Sequence, residues 1–252
     1  MSLLKAISGI VFLLCSVACG GVREFSVEVV AEYPHDTDSY TQGLFFRDGR
    51  LYESTGLNGK STFREVDLKT GEAVRRLDFN DEYFVEGSVM MDDRLYILTW
   101  QNRQAFVYDA DSLAYLETWQ YPREGWGITT DGKCLYASDG SSYIYVMDGN
   151  YGHIRRIPVR RDGRSVRWLN ELEFIDGKIW ANVYVSDTIV IIDPEDGKVT
   201  ATVDCSGLLP DSLRTRDTDV LNGIAFDDRT GKIYLTGKNW PRIYEVRLVR
   251  KR

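Results

Sequence analysis

An all-β chain folded as a five-bladed β-propeller is what this sequence predicts, on three observations. A Gly-strand-turn-strand unit recurs five times along the 252 residues, with a period in the forties. The composition is that of short strands and tight turns: 22 glycines, six prolines, 12% aromatic and 43% hydrophobic residues in scattered runs. One strand-like segment near the N-terminus has no unit of its own, while the last unit is one strand short.

Residues 1–21 read as an export leader: Lys5, an apolar run from Ile7 to Val17 too short to span a bilayer, then Ser16-Val17-Ala18-Cys19. Ala18 before Cys19, followed by Gly20-Gly21, resembles a bacterial lipoprotein cleavage site, with Ser16 where leucine is usual. The expectation is a periplasmic or cell-envelope protein that meets the membrane only through a lipid on Cys19, with plain secretion as the alternative. Residues 22–252 then form one propeller domain, expected to be a monomer.

The segment Phe25 to Glu32 is the unassigned strand. The five units follow as Gly43–Thr55, Gly87–Thr99, Gly127–Ser138, Glu171–Asn182 and Gly223–Thr236, each a pair of strands. Between the paired strands stand Arg47-Asp48-Gly49, Asp92-Asp93, Asp131-Gly132, Asp176-Gly177 and Asp227 to Gly231, residues that tolerate the positive φ of hairpin turns. The first four pairs are each followed by a strand ending near an aspartate (Asp67, Asp109, Asp148, Asp193) and by a fourth strand. Four strands per unit make a propeller blade. The fifth unit has only Arg242 to Val249 left, so Phe25 to Glu32 is predicted to complete the last blade at its outer edge.

In a propeller the innermost strands run the same way along the axis, so residues just before them gather at one rim. Those residues are Gln42, Glu86, Trp126, Asn170 and Asn222. The second strands return to that rim with Gly56, Trp100, Asp139 or Gly140, Tyr184 and Lys238. One mouth therefore collects an acid, a base, carboxamides and aromatic faces, the usual make-up of a small-ligand site. Against this, Glu86 as a solvated loop carboxylate, the aromatics as packing, and the carboxamides as backbone partners are the ordinary alternatives.

Several chemistries lack their residues. The two histidines, His35 and His153, sit at non-equivalent places of the repeat, which disfavours a zinc site and a Ser-His triad. Cys134 and Cys205 have no metal-ligand spacing; two buried free thiols are expected, with a disulfide as the alternative. No phosphate-cradling glycine loop is present. The net charge of −7 and the absence of a basic aromatic stripe argue against nucleic acid, and Arg155 to Arg164 and Arg247 to Arg252 read as solvated edges.

A set of ordered motifs carries a family resemblance: Tyr40-Thr41-Gln42-Gly43-Leu44, Glu53-Ser54-Thr55-Gly56, Glu86-Gly87, Leu98-Thr99-Trp100, Glu124-Gly125-Trp126-Gly127, Leu169-Asn170-Glu171-Leu172-Glu173, Asp219-Val220-Leu221-Asn222-Gly223 and Thr236-Gly237-Lys238-Asn239-Trp240-Pro241. Together they resemble the plant and bacterial type of glutaminyl-peptide cyclotransferase from about Tyr33 to Val246. The resemblance implies conversion of N-terminal glutamine of peptides and proteins to pyroglutamate with release of ammonia, by general acid-base catalysis with no metal and no cofactor. It places the catalytic glutamate on Glu86, the lysine on Lys238, the asparagine on Asn170, the substrate-orienting glutamine on Gln42 and the pocket aromatics on Trp100 and Trp126. Two positions depart from the family pattern: Tyr184 stands for a usual tryptophan, and Phe84-Val85 for Phe-Gly.

Two other classes remain open from the residues alone. One is a non-catalytic binding module of the cell envelope, since propellers often serve as platforms. The other is a metal-dependent lactonase or esterase with a calcium cage drawn from Asn170, Asn222 and Asp139, whose cation Lys238 would repel.

Overall fold

The computed structural model describes residues 21–251. The leader, with Cys15 and Cys19, lies outside the described residues except for Gly21.

Strand β1 (Arg23–Pro34) is followed by a meander of β2 (Thr41–Arg47), β3 (Arg50–Thr55), β4 (Thr62–Val66) and β5 (Ala73–Asp78). The second meander is β6 (Val85–Met91), β7 (Arg94–Thr99), β8 (Gln104–Asp109) and β9 (Tyr115–Gln120). The third is β10 (Ile128–Thr130), β11 (Leu135–Ala137), β12 (Tyr143–Met147) and β13 (His153–Pro158). A small ribbon of β14 (Arg160–Arg161) and β15 (Arg164–Ser165) precedes the fourth, β16 (Leu169–Ile175), β17 (Lys178–Val183), β18 (Thr188–Ile192) and β19 (Val199–Asp204). The chain closes with β20 (Leu221–Asp227), β21 (Lys232–Gly237) and β22 (Arg242–Arg250).

The local chemistry explains the repeat. At the β2–β3 and β16–β17 turns, Asp48-Gly49 and Asp176-Gly177 both take positive φ, the conformation whose twist matches the flanking strands. The aspartates at the ends of the third strands hold the next turn: Asp67 Oδ1 accepts from the N–H groups of Lys69 and Thr70, and Asp109 Oδ1 from that of Ser112.

The closure is as expected. β1 pairs antiparallel with β22 from Phe25↔Arg250 to Pro34↔Arg242, giving the order β20-β21-β22-β1. What the sequence did not announce is that β1 also pairs parallel with β19, Arg23↔Ala201 to Ser26↔Asp204, fusing two meanders into one eight-stranded sheet. Nor did it announce the β14–β15 ribbon, which gives part of the expected solvated basic edge a strand pairing, Arg160↔Ser165.

The core lies between meanders rather than within them. Each apolar cluster joins two neighbours: Phe45, Phe63, Leu95 and Phe106 join the first and second, and Leu98, Leu135 and Met147 the second and third. Ile144, Leu172 and Val190 join the third and fourth, and Trp180, Ile224 and Tyr244 the fourth and last. Leu44, Tyr234 and Ile243 join the last back to the first, so the ring is closed by the same kind of interface that builds it. Burying one such aliphatic or aromatic side chain contributes roughly 1.5–3 kcal/mol. A single meander exposes both faces, so each interface depends on the next.

At the axis the first strands approach closely. A Cβ on Gly87 would lie 2.6 Å from the carbonyl oxygen of Trp126, which explains glycine at this position of the repeat. In the fourth meander the equivalent position is Glu171, and its carboxyl fills the axis: Oε2 accepts from Ile224 N–H at 2.9 Å and Oε1 from Leu44 N–H at 3.4 Å. Two residues on, Glu173 Oε1 accepts from Phe226 N–H at 2.9 Å. Burial pushes Glu171 well above the usual carboxylate range and Glu173 up to about 8.

The seam between first and last meanders carries a buried charged cluster. His35 contacts Glu53 Oε1 (3.0 Å) and the Trp240 carbonyl (2.7 Å), and Thr41 Oγ1 donates to Glu53 Oε1 (2.7 Å). Arg64 donates to Glu53 Oε2 (2.5 Å), to Asp36 (2.8 Å) and to Ser39. Burial opposes ionisation of Glu53, but the charges of His35 and Arg64 win and bring it down to about 2. Both folded-domain cysteines are free; Cys205 is buried as expected, whereas Cys134 is only half-buried, in the turn before β11 where its N–H donates to Asp131 Oδ1.

Candidate active site

The residues expected just before the first strands stand, with one exception, just inside them. Gln42, Glu86, Asn170 and Asn222 are each the second residue of β2, β6, β16 and β20. At all four places the pairing with the second strand slips, between Thr41 and Gly43, Val85 and Ser88, Leu169 and Leu172, and Leu221 and Ile224. A bulge leaves the extra residue outside the ladder and re-aims its side chain. Trp126 does precede β10, and Trp100, Tyr184 and Lys238 directly follow β7, β17 and β21.

These positions converge. One cavity of about 370 Å³ is lined by Tyr40, Gln42, Phe84, Glu86, Trp100, Trp126, Trp168, Asn170, Tyr184 and Lys238. It therefore unites Glu86, Lys238, Asn170, Gln42, Trp100, Trp126 and Tyr184, drawn from all five meanders. Asn222 supports it from behind: its Nδ2 donates to the Thr41 carbonyl (2.9 Å) and to Gln42 Oε1 (3.3 Å), holding that carboxamide. Asp139 serves its own turn, accepting from Ser141 N–H. Gly140, at φ 74°, leaves room for an indole: a Cβ there would lie 2.7 Å from the Trp126 ring.

The polar floor is deeply buried. Gln42 is 3% exposed, Glu86 5%, Asn170 2% and Lys238 3%. Burial raises the Glu86 carboxyl well above its ordinary range; the Lys238 charge pulls it back in part, and the Glu124 charge adds to the rise. Burial likewise lowers the Lys238 ammonium, against the opposing pull of Glu86 and Asp219. Asn170 Oδ1 is buried without a hydrogen-bond partner, a polar group open to a ligand or solvent donor.

The walls are a belt of aromatic contacts. Phe84 meets Tyr40 (6.2 Å between centroids, 88°) and Trp100 (5.5 Å, 63°) edge to face. Trp126 meets Tyr184 (5.6 Å, 82°) and Trp168 (6.3 Å, 33°). Two polar links close the belt. Glu124 Oε2 accepts the indole N–H of Trp100 (2.9 Å) and of Trp126 (3.3 Å), and Lys238 Nζ lies over the rings of Tyr40 (4.7 Å) and Tyr184 (5.2 Å). Tyr40 is itself held by its hydroxyl, which donates to Asp219 Oδ2 at 2.8 Å.

Tyr40, Phe84, Trp168 and Glu124 were not singled out as site residues from sequence. A signal for them exists: each stands two positions before a site residue, as in Tyr40/Gln42, Phe84/Glu86, Glu124/Trp126 and Trp168/Asn170. Among the described residues no group of three or more His, Cys, Asp or Glu side chains is placed to hold a metal ion.

Comparison with known proteins adds three likenesses. A family model described as glutamine cyclotransferase matches residues 9–248. A glutaminyl-peptide cyclotransferase of Arabidopsis thaliana is 42% identical over 227 residues, covering 88% of this chain and 71% of that protein. The crystal structure of Myxococcus xanthus glutaminyl cyclase superposes with a TM-score of 0.85 at 32% identity, covering 92% of this chain and all of the other. A WD40 β-propeller domain of Doa1, at 12% identity and a TM-score of 0.50 over 81% of this chain and 62% of the other, shares the fold alone. The likeness to the cyclase and this distant one together make the ring a β-propeller.

Proposed function

The chain belongs to the glutamine cyclotransferase family, whose enzymes convert N-terminal glutamine to pyroglutamate with loss of ammonia, and we propose that in this reaction Glu86 carries the proton. Glutamine-to-pyroglutamate cyclotransfer on peptide substrates is the activity of this chain. The residue roles follow from the cavity.

In the proposed sequence Glu86, as carboxylate, takes a proton from the substrate's α-ammonium. The freed nitrogen lone pair attacks the γ-carboxamide carbon, forming the ring C–N bond and placing negative charge on the carboxamide oxygen. Lys238 and Asn170 Nδ2 donate to that oxygen. As the tetrahedral centre collapses, Glu86 delivers its proton to the departing nitrogen, ammonia leaves, and the attacking nitrogen passes its second proton to the Glu86 carboxylate so freed, which returns it to solvent. The attack is intramolecular, so the site's main work is to hold the folded-back conformer. Gln42, fixed by Asn222, orients the substrate, and Trp100, Trp126 and Tyr184 enclose its aliphatic part and exclude water.

The observation that carries this reading is the pairing of a 5%-exposed carboxylate with a 3%-exposed ammonium in one aromatic-walled cavity. A raised carboxyl approaches the proton affinity of an α-amine, which suits a proton carrier. The test is ammonia release and loss of about 17 Da from a Gln-initiated dipeptide, with and without chelator; a mass unchanged in both would remove the activity.

Three further readings accompany it. The ring is five-bladed, which the order of the meanders and the cyclic run of interfaces support. Residues 22–252 act as one catalytic domain and as a monomer. The protein is exported and anchored through a lipid on Cys19, as the character of residues 1–21 supports.

A further inference from the structure

Cyclisation consumes only the first residue of a peptide; the rest of the chain hangs from that residue's carbonyl and has to leave by the cavity mouth. The lining is graded in depth: its polar floor is 2–5% exposed, whereas Trp168 is 50% exposed. Of the cavity's aromatic side chains, Trp168 is thus the one that a second residue meets on its way out.

Trp168 is held there at a conformational cost. Its φ is 64°, a region that bulky residues rarely occupy. The backbone is pinned on both sides: Trp168 N–H donates to the Gly140 carbonyl (2.9 Å), and the Trp168 carbonyl accepts from Tyr184 N–H (2.8 Å). The indole is braced from inside by Trp126 (6.3 Å) and Tyr184 (6.5 Å), and half of its surface is left to solvent. A strained backbone that presents a large apolar surface to water, continuous with the reactive cavity, gains little as packing and much as a contact surface.

Resting on the cyclotransferase reading, we propose that Trp168 is the subsite for the second residue of the substrate and selects Gln-initiated peptides in which that residue is aromatic or large and aliphatic. Such a side chain stacks on the exposed indole, while glycine or an acidic residue gains nothing there.

The test compares kcat/KM for ammonia release from the dipeptide amides Gln-Phe, Gln-Leu, Gln-Gly and Gln-Glu. The native enzyme is expected to prefer Gln-Phe over Gln-Gly by about tenfold, chiefly through KM. In W168A that ratio falls to within about twofold of unity, and W168F restores most of it, with thermal melts reporting that each variant is folded. A native enzyme indifferent to the second residue, or a W168A enzyme slowed by the same factor on every peptide, would overturn the subsite. No ammonia from any of the four peptides would instead remove the cyclotransferase reading beneath it, and the subsite with it.

Discussion

Glu86 and Lys238 reach one cavity from separate meanders and influence each other through space, with no hydrogen bond between them. Burial disfavours the charged form of both, so the carboxyl's proton affinity rises while the ammonium's falls.

The pH dependence follows with its sign. In its proposed role Glu86 acts as a base only when ionised, so kcat/KM is expected to fall as pH drops through its raised pKa. In its proposed role Lys238 donates only when protonated, so activity is expected to fall again as pH rises through its lowered pKa. A bell narrower than ordinary Glu and Lys values allow is expected, and an acidic limb at the ordinary carboxylate value near 4.3 would contradict the buried role.

Replacing Glu86 by Gln keeps the shape and removes the proposed proton carrier. The loss in kcat should be at least about 10²-fold, with a melting temperature close to that of the native protein. Near-native turnover in E86Q would take Glu86 out of the reaction.

Glu124 joins Trp100 and Trp126 through one carboxylate oxygen and also pushes Glu86 upward. E124A frees both indoles and is expected to raise KM about tenfold, each lost charge-assisted hydrogen bond being worth roughly 1.5–3 kcal/mol before relaxation. E124Q, which keeps an acceptor but not the charge, should retain more affinity and shift the acidic limb of the pH profile downward. Native KM and tryptophan fluorescence in E124A would show the bridge to be idle.

At the seam, Glu53 neutralises Arg64 beneath Thr41 and His35. E53A leaves the buried Arg64 guanidinium with only the more exposed Asp36 carboxylate, and the expected destabilisation is up to about 3 kcal/mol, measured by denaturant unfolding. Because the same cluster anchors the segment leading into Tyr40 and Gln42, the variant should also bind substrate more weakly.

Glu173 makes the axis sensitive to alkali. Its folded-state pKa, raised to about 8, lies above its unfolded value, so its contribution is fully present below the unfolded pKa and is lost as pH rises toward about 8. E173Q should flatten the decline in melting temperature between pH 5 and pH 9; an unchanged slope would place the sensitivity elsewhere.

Much of this was legible in the chain. The repeat of glycines, Asp-Gly turns and strand-ending aspartates prescribes the meander, because turn conformation and strand alternation depend on neighbours a few residues apart. The orphan strand at Phe25 to Glu32 announced the closure with β22. Gln42, Glu86, Trp100, Trp126, Asn170, Tyr184 and Lys238 were readable as one rim because equivalent positions of a ring share a level, and all seven line the cavity.

What needed the folded molecule were relations between residues distant in sequence. Only tertiary structure decided that Glu171 could stand where glycine is the rule, its carboxyl reaching N–H groups of two other meanders. It also decided that Glu124 bridges two indoles, and that Trp168 stays half in water while Glu86 does not. Local sequence sets which side chains face inward. How deep each lies, and which charge or donor it meets there, depends on how closely the closed ring draws its strands together.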